Sequence, residues 1–231
     1  MDLKTITKEE FGKYFELLTL KANTEEEVRS FCRLAKDYNM RSYMISWYWV
    51  PLLKEEFAGT DIKAGTGASF PFGSDPPKAK EETIRNAVKL GADTLDLSMN
   101  YSILKAGRKD VVAEELDRFV DAAEDREKKV IIEVAALTDD EIKLAIELLA
   151  ERDINWVKTS TGQLAGPTMP QMKIIREAVK GTNLRIKVSG VKAPRPQNAY
   201  AYFKAGAEII GSQGAPEIID SLDLHRELGL I

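Results

Sequence analysis

The sequence contains few of the residues that most often build covalent and metal-binding sites. Its 231 residues include one cysteine, Cys32, and one histidine, His225. A single cysteine excludes a disulfide within this sequence, which fits a reducing compartment, and we predict a cytoplasmic protein. Zinc sites built from several histidines and cysteines are disfavoured, and so are histidine-centred triads, because His225 lies in a charged, helix-like tail. A magnesium site held by carboxylates stays open.

Long apolar runs and a strong net charge are also missing. No apolar run approaches the ~18 residues of a membrane-spanning helix, and polar sequence follows Met1 in place of a signal-peptide core. The formal net charge is -4, so no overall positive field would attract nucleic acid or an anionic membrane. We therefore expect a partner among small molecules, and neither nucleic acid nor a membrane.

Short β-like runs alternate with longer amphipathic segments along the chain. We predict strands over residues 14–20, 42–47, 62–69, 94–99, 130–136, 156–161, 184–189 and 208–212. We predict helices over residues 24–37, 78–90, 109–124, 138–151, 170–179, 197–204 and 216–228. Strands separated by helical segments of this length are typical of βα units around a parallel sheet.

About eight such units favour an α/β fold of the TIM (β/α)8 barrel type. No linker or low-complexity segment divides residues 1–231, which predicts one domain. A doubly wound open sheet is the alternative, and it usually has a glycine-rich phosphate loop after its first strand. Such a loop is missing there, and Gly65-Thr66-Gly67 lacks the rest of that motif.

Two lysines near the ends of predicted strands carry most of the functional information. Lys158 lies in the segment WVKTSTG, and Lys187 lies in the segment RIKVSG. Burial disfavours the charged form of a lysine, and a second nearby cation lowers its pKa further from ~10.4. The neutral amine can attack a carbonyl and form a Schiff base. The alternative is that each lysine lies on a solvated face, with its apolar stem along the surface.

The active site of a TIM barrel lies at the carboxyl ends of its strands. We expect the fold to bring five polar residues together there: Asp96, Glu133, Lys158, Lys187 and Ser212. Asp96 alternates with two leucines along its strand, so it would face the barrel interior, where a carboxylate can pair with a lysine and move a proton. A purely structural ion pair is the alternative for Asp96, and it is our prediction for Glu133.

Several segments resemble those of the class I deoxyribose-phosphate aldolase family. VKTSTG at 157–162 matches the family's Schiff-base segment, KVSG at 187–190 matches most of the segment of the second lysine, and GADTLD at 91–96 matches the strand of the proton-relay aspartate. VIIE at 130–133, Phe70-Pro71 with Gly73, Ala205-Gly206-Ala207 and Gly211-Ser212 match further segments. The resemblance covers nearly the whole chain.

The resemblance implies a cofactor-independent and metal-independent reaction, the reversible cleavage of 2-deoxy-D-ribose 5-phosphate to acetaldehyde and D-glyceraldehyde 3-phosphate. It implies that Lys158 forms the imine, that Lys187 lowers the pKa of Lys158, and that Asp96 moves protons with a water. It also implies a homo-oligomer, either a dimer or a tetramer.

The predicted phosphate site differs from the family pattern. By resemblance it consists of Gly162, Gly190, Ser212 and Gly214. The family has a Gly-Gly pair after the second lysine, whereas this chain has Gly190-Val191 followed by KAPRP. Lys192 and Arg195 in that segment either supply positive charge or are solvated loop residues.

Two other segments depart from the family. The first strand has ELLTLK at 16–21 in place of Asp-His-Thr-Leu-Leu-Lys, and the second ends in Ser46-Trp47 in place of Asn-Pro. The aromatic run from Trp47 to Trp49 either packs a strand end or narrows the acceptor pocket. Two alternative functions therefore stay open: an aldolase of the same mechanism for a different, possibly non-phosphorylated, aldehyde or sugar, and a catalytically silent barrel with a binding or regulatory role.

Overall fold

The computed structural model describes residues 1–19, 21 and 23–231, and its strands form a closed parallel barrel in chain order. The strands are β1 Phe15–Leu18, β2 Ser42–Met44, β3 Lys63–Ala68, β4 Thr94–Ser98, β5 Glu127–Ile131, β6 Trp156–Lys158, β7 Arg185–Ser189 and β8 Ile209–Gly211. Pairing of β8 with β1 closes the barrel. The predicted TIM barrel is confirmed, and each predicted strand overlaps an observed one. The predicted first strand reaches Leu20, which lies outside the described residues.

Helices follow or precede the strands around the outside of the barrel. They are α1 Lys8–Gly12, α2 Glu25–Asp37, α3 Val50–Glu56, α4 Pro77–Lys89, α5 Tyr101–Lys105, α6 Lys109–Ala123, α7 Asp139–Ala150, α8 Met169–Ala178, α9 Arg195–Lys204, α10 Ala215–Asp220 and α11 Leu222–Glu227, with 3₁₀ turns at Trp47–Trp49 and Val134–Ala136. The short helices α1, α3 and α5 were not predicted, because each is too short to show a helical period. None of the helices in the described ranges is long and apolar enough to cross a membrane.

The predicted last helix is wrong in one respect, because α10 and α11 are separate helices that meet at Ser221. The hydroxyl of Ser221 donates to the carbonyl oxygen of Ile218 at 2.8 Å. Such local bonds from serine compete with the regular helical pattern.

The two faces of the barrel sheet differ in chemistry. The outward face is apolar and lies under the helices, with Leu17, Tyr43, Leu95, Val130 and Val157 all buried. Buried parallel strands ordinarily have such residues on both faces. The inward face instead contains Glu16, Asp96, Lys129, Lys158 and Lys187, all buried. Polar side chains therefore fill the barrel interior below its carboxyl-terminal mouth.

A buried ion pair joins α4 to α6 outside the barrel. The ammonium of Lys80 donates to Oε2 of Glu115 and to the carbonyl oxygen of Gly73, both at 2.7 Å, and to that of Ser98 at 3.0 Å. Oε1 of Glu115 accepts from the amide of Asn100 at 3.0 Å. The pair thus fixes the loop after β3 to the end of β4, which carries Asp96.

Replacing Lys80 by methionine is expected to lower the free energy of unfolding by about 3–5 kcal/mol, because Glu115 keeps a buried charge without its cation. Urea denaturation measures this loss. Lys143→Met is the matched control, because Lys143 pairs with Asp140 at an exposed position and its loss should leave the midpoint unchanged. Equal midpoints for Lys80→Met and the parent protein would contradict a stabilising role of the buried pair.

Candidate active site

Asp96 lies between the two predicted catalytic lysines at the carboxyl-terminal end of the barrel. Nζ of Lys158 donates to Oδ2 of Asp96 at 2.7 Å, and Nζ of Lys187 lies 3.1 Å from the same oxygen. Register explains the cluster, because Lys158 on β6 pairs directly with Lys187 on β7. All three side chains are at most 6% exposed. The structure therefore brings together the three residues predicted to be catalytic, and the solvated alternative for the lysines is wrong.

A second carboxylate, Glu16 on β1, holds Lys187 from the other side. Oε2 of Glu16 forms a close ion pair with Nζ of Lys187, and its Oε1 lies 3.2 Å from Nζ of Lys129 on β5. Lys129 in turn lies 3.3 Å from Oε2 of Glu127, near the opposite end of the barrel. Charges of alternating sign thus continue from Glu127 through the barrel interior to Lys158.

The electrostatic environment gives the two lysines different protonation behaviour. Burial lowers the pKa of Lys158 to about 8; the carboxylate of Asp96 opposes this effect, and the positive charge of Lys187 adds to it. Burial alone would lower the pKa of Lys187, but the negative charges of Asp96 and Glu16 raise it above its ordinary value. Lys187 therefore stays an ammonium at neutral pH, while Lys158 yields a neutral amine readily.

The two carboxylates stay ionised for the same reason. Burial would raise the pKa of Asp96, but the positive charges of Lys158, Lys187 and Lys129 hold it well below its usual range. The positive charges of Lys129 and Lys187 likewise lower the pKa of the Glu16 carboxyl, although its burial acts to raise that pKa. An ionised carboxylate beside an amine with a lowered pKa can accept a proton from that amine and return it to a bound substrate.

Glu133 differs from its prediction in both backbone and partner. The strand predicted over 130–136 ends at Ile131, and Glu133 has a left-handed backbone with φ of 55°. Its carboxylate accepts from the amide of Thr161 at 3.0 Å and from the Thr161 hydroxyl. It forms no ion pair with any cation that the structure describes, so the predicted ion pair is wrong. The lysines take their anions from Asp96 and Glu16 instead, and Glu133 holds the loop after β6.

Two neighbouring clefts open at this end of the barrel. We call the first the lysine cleft; it has a volume of about 390 Å³ and is lined by Lys158 and Asp96, by apolar residues that include Met44, Ile45, Trp47, Phe70 and Ile131, and by polar residues that include Ser46, Thr66, Ser69, Asp75 and Thr83. We call the second the glycine cleft; it has a volume of about 350 Å³ and is lined by Thr161, Gly162, Gly190, Val191, Lys192, Arg195, Ser212 and Gly214, among others. Leu18, Thr19 and Lys21 border both clefts. The four residues predicted to bind phosphate therefore share one cleft beside the lysines.

Glycine is required at Gly190 by both conformation and space. Its φ is 83°, and a Cβ there would lie 2.8 Å from the Cα of Gly166.

The loop after β8 has a tight turn, because the amide of Gly214 donates to the hydroxyl of Ser212 at 3.0 Å. Ser212 lies in the glycine cleft, at the same end of the barrel as the lysine cleft, as predicted.

Sequence reasoning missed the role of the inner charges below the lysines. Glu16 had been identified only as a departure from the family pattern, and Lys129 and Glu127 had not been considered. The sequence did contain a signal. Lys129 and Ile131 are two residues apart on β5 and so share one face of the strand, and the charged Glu16 lies within the otherwise apolar run FELL. A charged residue with period-two spacing inside a buried strand faces the barrel interior.

The aromatic residues after β2 fit both interpretations, because one of them packs the end of the strand and another borders a cleft. Trp49 packs against the hydrophobic core, as expected if the run packs a strand end. Trp47 instead lines the lysine cleft while 43% exposed. One tryptophan therefore borders the space above Lys158.

Comparison with known proteins agrees with this geometry. Residues 58–194 match the model of the DeoC/LacD family aldolases. The deoxyribose-phosphate aldolase of Streptococcus suis is 35% identical over 211 residues, which cover 90% of this chain and 95% of that protein.

Two solved structures share the fold. One is QR15, an aldolase, with 29% identity and a TM-score of 0.85 over 95% of this chain and 98% of that one. The other is the tetrameric deoxyribose phosphate aldolase from Aeropyrum pernix, with 22% identity and a TM-score of 0.82 over 94% and 92%. With a matching family model across more than half its length and a relative above 30% identity, this chain belongs to the DeoC/LacD family of aldolases.

Proposed function

We propose that this protein is a class I aldolase that reversibly cleaves 2-deoxy-D-ribose 5-phosphate to acetaldehyde and D-glyceraldehyde 3-phosphate. The observation that carries the proposal is the buried amine of Lys158, with a pKa of about 8, paired with Asp96, which also pairs with the ammonium of Lys187. Relatives named for this reaction match nearly the whole chain. A silent barrel has no physical need for this charge arrangement, so we favour the enzyme.

The proposed chemistry assigns one role to each of the three side chains. The neutral amine of Lys158 adds to C1 of the sugar phosphate, and loss of water gives an imine that can accept electrons. Removal of the proton from the C3 hydroxyl breaks the C2–C3 bond and releases glyceraldehyde 3-phosphate. The remaining enamine takes a proton at C2, and water hydrolyses the imine to free acetaldehyde and Lys158. Asp96 moves these protons through a water, and the positive charge of Lys187 adds to the effect of burial in lowering the pKa of Lys158. No step calls for a cofactor or a metal.

We assign the phosphate group to the glycine cleft. The amide N–H groups of Gly162, Gly190, Val191 and Gln213 find no protein acceptor in the part of the chain that the structure describes. Nζ of Lys192 is 3.3 Å from the carbonyl oxygen of Gly162, so its positive charge lies at the edge of the cleft. Arg195 pairs with Glu217 at 3.1 Å and is less available. Unpartnered amides with one nearby cation are suited to a phosphate. Ser212 and Gly214 would shape the opposite wall.

Reductive trapping tests the covalent mechanism. Borohydride is added to the protein with deoxyribose 5-phosphate and, separately, with acetaldehyde, and the mass of the intact protein and of its peptides is measured. We expect a two-carbon adduct on Lys158 from acetaldehyde and an adduct on the same lysine from the sugar phosphate. Folded protein that gives no adduct on Lys158 from either compound would contradict the proposal.

Replacing Lys192 by methionine is expected to raise KM for deoxyribose 5-phosphate at least about tenfold, because a charge-assisted contact of ~1.5–3 kcal/mol is removed. KM for unphosphorylated deoxyribose should not change. Steady-state kinetics with both sugars make the comparison, and Lys173→Met, an exposed substitution on α8, is the charge-matched control. An equal change with both sugars would show that Lys192 does not recognise phosphate, and would favour the aldolase for a non-phosphorylated substrate.

We further propose that residues 1–231 form one domain and that the chain assembles as a homo-oligomer. The closed barrel supports the first proposal. The tetrameric aldolase from Aeropyrum pernix, which shares the fold, supports the second. Residence in the cytoplasm stays a prediction from the single cysteine, Cys32, which is buried.

A further inference from the structure

We propose that Glu127, at the end of the barrel opposite the two clefts, is a positioning residue for the reaction at Lys158. It acts through Lys129, because its pairing with that lysine limits the competition of Lys129 with Lys158 for the carboxylate of Asp96. The inference rests on the proposed function, since its effect is measured through the reaction of Lys158. Glu127 lines neither the lysine cleft nor the glycine cleft.

The first support is the position of Lys129 among three carboxylates in the barrel interior. Its Nζ is 3.3 Å from Oε2 of Glu127 and 3.2 Å from Oε1 of Glu16. It is also 3.9 Å from Oδ1 of Asp96, whose other oxygen accepts from Lys158 at 2.7 Å. The side chain of Lys129 is fully buried, so these carboxylates and not bulk water neutralise its charge. Lys129 and Lys158 therefore share the negative charge of Asp96.

The second support is the number of strands that fix the carboxylate of Glu127. Glu127 is the first residue of β5 and lies at the amino-terminal end of the barrel. Its Oε1 accepts from Nε1 of Trp156 at 2.9 Å and forms a close ion pair with Arg41. Its Oε2 accepts from the hydroxyl of Thr94 at 2.9 Å and lies 3.3 Å from Nζ of Lys63. The carboxylate is thus held in one position relative to the barrel interior.

The third support is that this carboxylate is ionised. Burial would raise the pKa of Glu127, but the positive charges of Lys129, Arg41 and Lys63 hold that pKa well below its usual range. Arg41 also lies 3.9 Å from Oε1 of Glu16, so cations and anions alternate at this end of the barrel. A fixed negative charge here acts on Lys129 without contact with the substrate.

The two charges have opposite effects on the pKa of Lys158. Removing the charge of Glu127 leaves more of the positive charge of Lys129 to act on Asp96. The ammonium form of Lys158 then loses part of its anion, and its pKa falls. Removing Lys129 leaves the charge of Asp96 to Lys158 and Lys187, and the pKa of Lys158 rises. The charged groups that act on Lys158 include Asp96, Lys187 and Glu16.

Profiles of kcat/KM for deoxyribose 5-phosphate against pH, from about 6 to 10, test the inference. In Glu127→Gln, which keeps the size of the side chain, we expect the acid limb to move downward by at least about 0.5 pH unit. In Lys129→Met we expect it to move upward by at least about the same amount, which lowers kcat/KM about threefold below the pKa. The acid limb of the double variant Glu127→Gln/Lys129→Met should lie between those of the single variants.

Two control variants remove charges of the same sign from nearby positions. Glu208→Gln removes a carboxylate at the same end of the barrel that pairs with Arg185 at 2.9 Å and is 45% exposed. Lys128→Met removes the lysine next to Lys129 on β5, which pairs with the exposed Asp153. Both controls should keep the acid limb of the parent protein.

The outcomes separate a positioning role from a structural one. If Glu127 only closed the end of the barrel, its substitution would lower the free energy of unfolding in urea without moving the acid limb. An unmoved limb in folded Glu127→Gln, or shifts of the same sign in Glu127→Gln and Lys129→Met, would overturn the inference and leave the proposed function standing. Parent protein that does not cleave deoxyribose 5-phosphate at any pH would overturn the proposed function, and the inference with it.

A further variant keeps the test decisive if Lys129→Met does not fold. Glu127→Asp retains the negative charge on a shorter side chain, and its acid limb should stay with that of the parent protein while the limb of Glu127→Gln moves. Equal shifts in Glu127→Asp and Glu127→Gln would show that the charge of Glu127 is not the cause, and would overturn the inference.

Discussion

Replacing Lys158 by leucine is expected to reduce cleavage of deoxyribose 5-phosphate by roughly 10⁶-fold, the size of loss seen when a covalent nucleophile is removed from a hydrolase. Asp96 and Lys187 cannot substitute, because a carboxylate forms no imine and the amine of Lys187 is held as an ammonium by Asp96 and Glu16. A coupled assay for glyceraldehyde 3-phosphate measures the loss.

The same variant should remain folded. In the parent protein Lys158 is paired with Asp96 at 2.7 Å, so it is not an isolated buried amine. After its removal Asp96 still has Lys187 at 3.1 Å. The loss of unfolding free energy should therefore be less than the about 3–5 kcal/mol for breaking an isolated buried pair. Lys128→Leu is the control for a buried lysine that pairs elsewhere, with Asp153, and it should keep full activity. Residual turnover in Lys158→Leu near the parent rate would refute the covalent mechanism.

Replacing Lys187 by leucine is expected to move the acid limb of the pH–rate profile upward. In the parent protein kcat/KM should rise with pH and level off above about 8, since Lys158 reacts as the neutral amine and its pKa is about 8. Loss of the positive charge of Lys187 removes a cause of that lowered pKa and leaves the charge of Asp96 to raise it. Each unit of upward shift lowers the neutral fraction of Lys158 about tenfold below its pKa.

The profile of kcat/KM against pH, from about 6 to 10, distinguishes this effect from a general loss of stability. A destabilised site lowers the whole profile, whereas a raised pKa lowers the acid side and restores activity at higher pH. Lys204→Leu removes a lysine on α9 that contacts the carbonyl oxygen of Leu230, and its profile should match that of the parent. An unchanged acid limb in Lys187→Leu would show that Lys187 does not set the pKa of Lys158.

Local sequence patterns were sufficient to predict the architecture and the cluster of Lys158, Lys187 and Asp96. The alternation of short apolar strands with amphipathic helices depends on neighbouring residues, so eight βα units could be recognised without tertiary information. The segments around Lys158, Lys187 and Asp96 carry the family resemblance, and the barrel places all three at the same end. Strand ends were less accurate, as at Glu133, because a strand ends where its neighbours stop pairing, and that depends on the whole barrel.

The amino-acid sequence by itself placed lysines within strands that become buried, where a positive charge is costly. Only the tertiary structure decided how these charges are paired. Glu16 and Lys129 are 113 residues apart, and closure of the barrel puts them 3.2 Å from each other. The barrel also places three lysines, Lys129, Lys158 and Lys187, within 4 Å of Asp96. It leaves Glu133 to the Thr161 loop. Strand register and side-chain length set these distances, and at such short range they decide which lysine has the lower pKa.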